Sequence, residues 1–260
     1  MKLTGVLAIL VLVTSCEKDD GVNADMPCVS DSFSGDVMAF YPFSEGSLSD
    51  KSGHNRHLEN TTSAIPGEDR FGNPNCAYYF DNSDSLSAYL SRGDASFMNS
   101  LDAFSISLWY KAESDGDDGG KYQTLIGRNS SEGIQVPDRM GEWTLGLYDC
   151  KRPVFGASSS VWDDMSFDPG TTCADIMEMY TGSWNHLVIT YRIEGTDQMK
   201  LYLNGNHEST DIGGEYSVED IGDLFVGYEF TGFIDDIILF DRVLSLSEVK
   251  DLYDMVPCCD

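Results

Sequence analysis

Short runs of apolar or alternating residues recur along the chain, separated by clusters of Gly, Asn, Asp and Ser. Such runs predict β-strands, because successive side chains of a strand face opposite sides of the sheet. Only the C-terminal segment has the residue spacing of a helix. We therefore predict an all-β domain, an antiparallel β-sandwich of the jelly-roll type with a short C-terminal helix. The predicted strands cover residues 37–41, 77–80, 104–111, 122–127, 143–148, 186–192, 199–203 and 223–227.

A hairpin is predicted at Asn204 and Gly205, which follow the alternating run KLYL. Both residues accept the positive φ that a type I′ turn requires. The strand that ends at Leu203 is therefore expected to turn directly into an antiparallel neighbour.

The stretch FTGFIDDIILFDRVLSLSEVKDLY, residues 230–253, sets two adjacent carboxylates in an apolar strand and follows them with a helix. At the strand period Asp235 and Asp236 face opposite sides, and both sides are otherwise apolar. Burying a carboxylate is costly unless it is paired, so each needs a metal, hydrogen-bond donors or an exposed sheet end. Ser245 and Glu248 have the spacing of a capping box at the start of the helix.

The N-terminal residues resemble a bacterial lipoprotein signal. Lys2 precedes an apolar run, residues 3–13, and small residues lead to Cys16. This pattern predicts a signal peptide over residues 1–16 with Cys16 lipidated, an ordinary cleaved signal being the alternative. The run is shorter than the about 20 residues of a transmembrane helix. The acidic residues 17–20 resemble the export tag of Bacteroidetes-type surface lipoproteins.

Export and lipidation together imply a simple organisation. We expect a flexible tether over residues 17–32 and one domain over residues 33–260, since the sequence shows no internal repeat and no Pro-rich linker. The protein is expected to be anchored to the outer membrane by its lipid, with the side of the membrane that it faces left open. We expect a monomer.

The cysteines predict disulfides. Of the seven cysteines, lipidation of Cys16 leaves six, and an even number in an exported chain indicates disulfides. Cys150 and Cys173 would close one local loop. The adjacent Cys258 and Cys259 are not expected to bond to each other, and one or both are expected to tie the C-terminus to Cys28 or Cys76, with the connectivity left open. The spacings do not fit a zinc site.

The charge of the chain restricts its partners. The formal net charge is −28 at pH 7, which disfavours nucleic acid and anionic membrane surfaces. Carboxylates supply the oxygen ligands of hard cations such as calcium, although most of them are expected to lie on a solvated surface.

Five segments in a fixed order carry a family resemblance. They are FSISLWYK at 104–111, WTLGLY at 143–148, WNHLVITYR at 184–192, KLYLNG at 200–205 and the stretch 230–253. Together they resemble the LamG-like jelly rolls of the concanavalin A-like lectin/glucanase superfamily, over about residues 36–253.

The resemblance implies a structural calcium between the last strand and the first long loop. Asp235 would be a ligand, with Asp50 and Asn55 as its neighbours, and Asp236 carries over less directly because it faces the other side. The alternative is that both adjacent aspartates accept hydrogen bonds without a metal.

Catalysis is not expected. The glucanases of this superfamily carry a strand motif E-x-D-x-x-E, and residues 173–178, CADIME, resemble it with Cys173 in place of the nucleophile. A retaining hydrolase needs two carboxyl groups flanking the bond, so this replacement removes the mechanism. A divergent glycoside hydrolase containing Glu178 remains an alternative.

Binding is the function that remains. Trp162, in a polar stretch predicted as an exposed loop, is the first candidate for a ligand contact, followed by Tyr148 and Arg128. Trp109, Trp143 and Trp184 lie in strand patterns and are predicted to be core residues. We expect a non-catalytic domain that binds extracellular glycans, the alternative being an adhesive module that binds a surface protein.

Overall fold

The chain folds as two packed antiparallel sheets. A computed structural model describes residues 28–30, 32–83, 88–113, 122–129, 143–148, 150–157, 161–164, 172–193, 199–211 and 222–259, and the predicted signal peptide with Cys16 lies outside them. The strands are β1 Val37–Tyr41, β2 Ile65–Gly67, β3 Ala77–Phe80, β4 Leu90–Arg92, β5 Ala103–Ala112, β6 Gln123–Asn129, β7 Trp143–Tyr148, β8 Arg152–Ala157, β9 Val161–Asp164, β10 Asn185–Arg192, β11 Met199–Leu203, β12 Asn206–Asp211, β13 Asp223–Val226 and β14 Gly232–Phe240. The helices are α1 Cys173–Tyr180 and α2 Leu246–Tyr253, with 3-10 turns at Ser34–Asp36, Ser44–Gly46 and Ser96–Met98.

The order of strands in each sheet differs from their order in the chain. The larger, eight-stranded sheet has the order β12-β11-β10-β5-β14-β3-β2, and β1 also pairs with β14. The smaller, six-stranded sheet has the order β4-β13-β6-β7-β8-β9. The predicted all-β, concanavalin A-like sandwich is confirmed. Helix α1 and the strands β2, β4, β8 and β9 were not predicted.

The main core lies between the two sheets. Alternate residues of β5, among them Ile106 and Leu108, face it and are fully buried. Trp143 and Leu145 of β7 meet them from the smaller sheet. The prediction that Trp143 is a core residue is confirmed by its 1 % exposure.

A second cluster covers the outer face of the larger sheet. Val249 and Leu252 of α2 pack there against Ile238 of β14, and Val29 belongs to the same cluster. The folded domain therefore includes Val29, inside the range predicted as tether. The predicted capping box of α2 is present. Within the described residues no helix is long and apolar enough to cross a membrane.

Turn and disulfide predictions are also confirmed. Asn204 and Gly205 adopt φ values of 50° and 76° between β11 and β12. Cys150 is bonded to Cys173. The C-terminal tail is held by two bonds, Cys28–Cys258 and Cys76–Cys259, which fixes the order that the sequence left open.

Candidate functional site

A β-bulge changes the expected directions of Asp235 and Asp236. The register of β14 against β5 shifts between Asp235 and Ile238, and Asp236 has φ 44°. Both carboxylates consequently reach one guanidinium: Nη1 of Arg70 lies 3.2 Å from Oδ2 of Asp235 and 2.7 Å from Oδ2 of Asp236. The expectation that adjacent residues face opposite sides is wrong here, because a bulge breaks the two-residue period.

Arg70 is itself buried and held from several sides. Its Nη2 donates to the Met255 carbonyl at 2.9 Å, and its guanidinium carbon lies 4.4 Å from the Trp109 ring centroid. Tyr253 also stacks on Trp109, with ring centroids 5.6 Å apart. The C-terminal tail thus closes over this group.

The electrostatics of the pair follow from burial. Asp235 and Asp236 are each 1 % exposed, and desolvation raises the pKa of both carboxyls. The Arg70 charge opposes that rise. One cation faces two acids, so the cluster favours retaining a proton at pH values where an exposed aspartate has lost it.

The predicted calcium ligands do not form a cage. The Asp50 carboxylate accepts three backbone N–H bonds, from Phe40 at 3.0 Å and from Ser52 and Arg56 at 2.9 Å. Within the described residues no hydrogen bond or ion pair joins Asp50 or Asn55 to Asp235 and Asp236.

The oxygens of Asp50, Asp235 and Asp236 accept from N–H donors, which is the arrangement of the alternative without a metal. Calcium binding stays a prediction, which a titration of the chelated protein tests. A further grouping of Asp69, Cys76 and Cys259 offers no thiolate, since its two sulfur atoms form a disulfide.

The predicted ligand contacts do not come together as a site. Arg128 is only 1 % exposed, and it donates to Asn99 Oδ1 and to the Gly222 carbonyl. The guanidinium therefore bridges buried structure, which corrects its assignment as a ligand contact. Tyr148 is 43 % exposed at the end of β7. Trp162 lies in strand β9, not in a loop, and its side chain is outside the described residues.

A different set of side chains forms a continuous row on the outer face of the larger sheet. Tyr79 of β3 pairs with Phe233 of β14, and Phe233 pairs with Lys111 of β5. Trp184, directly before β10, extends the row. We call Tyr79, Phe233, Lys111 and Trp184 the aromatic row; all four are partly exposed.

The rings of the row are contiguous. The Phe233 ring centroid lies 4.7 Å from that of Tyr79 and 6.2 Å from that of Trp184. The Lys111 ammonium lies 4.4 Å from the Phe233 centroid and 5.9 Å from the Trp184 centroid. Such cation–π contacts orient the ammonium without neutralising it.

A carboxylate completes the row. The Tyr79 hydroxyl donates to Oε2 of Glu113 at 3.3 Å, and burial, followed by the Glu113 charge, raises the Tyr79 pKa. The row therefore offers flat apolar faces, one strong donor and one acceptor side by side. This combination suits a ligand that carries both C–H faces and hydroxyl groups.

Comparison with known proteins identifies the fold. The family model Laminin_G_3, of the Concanavalin A-like lectin/glucanases superfamily, matches residues 83–250, which is more than half of the chain. The chain belongs to this superfamily. No curated protein sequence matches it.

Solved structures of the same architecture are distant in sequence. Botulinum neurotoxin type C, whose cell entry depends upon interaction with two ganglioside molecules, is 15% identical with a TM-score of 0.64, over 86% of this chain and 52% of that one. The binding domain of botulinum neurotoxin DC, in complex with rat synaptotagmin II, is 16% identical with a TM-score of 0.62, over 85% and 52%. This chain thus spans about half the length of the toxin chains.

An arabinanase domain matches along nearly its whole length. Domain 4 of AbnA, a GH43 extracellular arabinanase from Geobacillus stearothermophilus, in complex with arabinotriose, is 18% identical with a TM-score of 0.58. The match covers 84% of this chain and 98% of that domain. At these identities the likeness shows the fold alone.

The aromatic row does not follow from the sequence predictions for this domain of the superfamily. Trp184 was predicted as core, but it precedes β10 and stays partly exposed. Two polar residues could have indicated the row. Lys111 and Glu113 are two residues apart at the end of β5, so their side chains lie on the same face of the strand, which indicates that this face meets solvent. That face also carries Phe233.

Proposed function

We propose that the domain binds extracellular glycans without catalysis, and that the aromatic row is its binding surface. The observation that carries the proposal is the cross-strand row itself: three partly exposed rings in contact, with Lys111 and Glu113 at their side. The sheet backbone fixes the order of these side chains, so the surface is formed before a ligand arrives.

The chemistry of the row suits sugars. Sugar rings present C–H faces that pack on aromatic rings, and their hydroxyl groups need both donors and acceptors. Lys111 is a donor only, and the Glu113 carboxylate is an acceptor. Contiguous rings can contact successive sugar units, which favours an oligosaccharide over a single sugar.

The absence of catalysis in this proposal rests on three observations. Cys173, at the position of the missing nucleophile, is bonded to Cys150. Glu178 lies in helix α1, where the E-x-D-x-x-E spacing no longer follows the two-residue period of a strand. In addition, the buried Asp235 and Asp236 are covered by Arg70 and the C-terminal tail.

The comparisons support glycan binding at the level of the fold. The structural neighbours include a toxin that interacts with gangliosides and a domain in complex with arabinotriose. We further propose that the domain is exported and anchored to the outer membrane through Cys16, as the N-terminal residues suggest.

A glycan array on the purified domain tests the proposal. We expect binding to one class of oligosaccharide, lost in Trp184→Ala and in Phe233→Ala. Tyr148→Ala is the matched control, because Tyr148 is an exposed tyrosine on the other sheet. Binding that survives both substitutions in the row, or that Tyr148→Ala removes instead, would refute the assignment.

A protein partner is the second candidate. It is favoured by the neighbouring toxin domain that is in complex with synaptotagmin II. Failure to bind any glycan, together with crosslinking of the wild type but not of Trp184→Ala to a surface protein, would support this alternative.

A further inference from the structure

The two most exposed large hydrophobic side chains among the described residues are Phe71 and Val256, which are 68 % and 60 % exposed. They lie in a loop, residues 71–75, and in the C-terminal tail, residues 255–259. Neither segment contains a charged residue, although the chain has 44 acids. We call these two segments together the uncharged patch. Exposed apolar surface of this kind marks a place of contact.

The two segments of the patch are held together. Cys76, directly after the loop, is bonded to Cys259 of the tail. Arg70, directly before the loop, donates through Nη2 to the Met255 carbonyl at 2.9 Å. The two exposed side chains therefore belong to one region of the surface.

The fold holds the loop in place with its ring exposed. The Asp69 carboxylate accepts from the backbone N–H of Phe71 at 2.8 Å and from that of Asn73 at 2.9 Å. The charged groups that precede Phe71 are turned inward: Asp69 is 3 % exposed, and the Arg70 side chain is paired with the two buried aspartates of β14. The exposure of the ring is therefore a feature of an ordered loop.

The patch lies beside the point where the described domain connects to Cys16. Cys28, the first described residue, is bonded to Cys258 of the tail. Cys16 precedes Cys28 by 12 positions, a stretch of chain that spans at most about 40 Å. A bilayer that holds a lipid on Cys16 would therefore lie within this distance of the tail.

We propose that the uncharged patch contacts the lipid bilayer that carries the anchor, with the Phe71 ring and the Val256 side chain in its interface. The inference rests on the proposed lipidation of Cys16 and goes beyond glycan binding, since the patch contains no residue of the aromatic row. Apolar side chains in the headgroup region add their burial to that of the lipid. The exposed acids Glu68 and Asp254, close to the patch in sequence, limit the insertion to side chains. The patch would fix the orientation of the domain on the membrane, which a lipid on Cys16 alone does not do.

Fluorescence quenching by brominated lipid tests the contact. Residues 17–260, which contain the whole described fold, are attached through an N-terminal histidine tag to phosphatidylcholine vesicles with a nickel-chelating lipid. We expect brominated acyl chains to remove most of the emission of the indole added by Phe71→Trp. The indole added by Tyr148→Trp, at an exposed position on the other sheet, should keep its emission. Equal quenching of the two indoles, or quenching of neither, would overturn the proposal.

A second experiment tests whether apolar burial causes the contact. Sedimentation of untagged residues 17–260 with phosphatidylcholine vesicles should show binding that is about tenfold weaker in Phe71→Ser and less reduced in Val256→Ser. Phosphatidylglycerol in the vesicles should weaken binding, because the formal net charge of the chain is −28. Stronger binding to these anionic vesicles, unchanged in Phe71→Ser, would refute the role of the patch.

The anchor and the patch can fail separately. The mass of the full chain extracted from membranes shows whether Cys16 carries a lipid, whereas both vesicle experiments use a chain without Cys16 and decide the patch alone. Phe71→Ser should leave binding on the glycan array unchanged. A wild-type dimer in analytical ultracentrifugation that Phe71→Ser dissociates would mean that a second copy covers the patch, which would also overturn the proposal.

Discussion

Phe233 and Asp235 lie two residues apart on β14, and their surroundings are opposite. Phe233 is partly exposed among other rings and next to a cation, whereas Asp235 is 1 % exposed and paired with Arg70. The difference comes from the C-terminal tail. It contacts Arg70 through Met255 and Asp236 through Cys258, next to Asp235, whereas Phe233 stays partly exposed.

This contrast shows which residues of β14 are accessible to a ligand. In the sequence the two adjacent carboxylates resemble a catalytic or metal-binding pair. In the structure their oxygens are hydrogen-bonded within the protein and are not accessible to a ligand. The aromatic residues of the row have the sequence pattern of core residues, but their side chains remain partly exposed. The charged side chains of β14 therefore stabilise the fold, and the partly exposed rings belong to the surface that we propose binds a ligand.

The largest effect is expected from Arg70→Met. Removing this guanidinium leaves Asp235 and Asp236 buried without their cation, which should lower the free energy of unfolding by about 3–5 kcal/mol. Urea denaturation measures it. Arg92→Met, which removes an arginine whose described bonds go to exposed backbone carbonyls, should cost less than about 1 kcal/mol. Equal losses for the two variants would show that the tail cluster does not depend on the ion pairs.

Next in size is a pH effect of Asp235→Asn. Burial raises the pKa of Asp235 in the folded protein. At pH values above the ordinary aspartate pKa of about 4, the unfolded chain has lost this proton, whereas the folded protein still holds it. The stability contributed by this group is present at low pH and is lost as pH rises through the folded-state pKa. Asparagine does not titrate, so Asp235→Asn does not lose stability in this way as pH rises.

Denaturation of wild type and Asp235→Asn between pH 4 and pH 8 measures the difference, expected on the order of 1–3 kcal/mol. The comparison with the variant is needed because buried His186, whose pKa is lowered to about 3, acts in the opposite direction. Its neutral form makes the folded protein more stable as pH rises toward the ordinary histidine value. Parallel curves for the two proteins would contradict the buried-pair account.

The smallest effect is expected from Gly67→Ala, which touches only the aromatic row. A Cβ at Gly67 would lie 2.7 Å from Cε1 of Phe233, so the ring must shift. We expect glycan binding to weaken by about 2–5-fold, corresponding to less than about 1 kcal/mol. Gly93→Ala is the control, since a Cβ there meets nothing within 4 Å. Equal affinity of both variants would mean that the position of Phe233 is unimportant for binding.

Much of the scaffold could be predicted from local patterns. The strands with clear alternation, the Asn204–Gly205 turn, the Ser245–Glu248 capping box and the Cys150–Cys173 bond all depend on residues close in sequence. Helix α1 was missed because it is a single short segment, Cys173–Tyr180, without a clear apolar period. The strand β9 could not be predicted because its sequence, VWDD, has only four residues and does not alternate between apolar and polar positions.

The site depended on contacts that local patterns do not contain. Arg70 meets Asp236 across 166 positions of the sequence, and the bulge that directs both carboxylates to it has no glycine or proline to mark it. The aromatic row likewise exists only once β3, β14 and β5 are placed side by side in register. Neither the partner nor the register follows from residue spacing along one strand.

The most direct test is a calorimetric titration of the best array ligand into the wild type, Trp184→Ala and Tyr148→Ala. Loss of the Trp184 ring should weaken ligand binding at least tenfold in Trp184→Ala, with an unchanged melting temperature. Tyr148→Ala should bind with wild-type affinity. Wild-type affinity in Trp184→Ala, with the protein folded, would contradict the claim that the aromatic row is the binding surface.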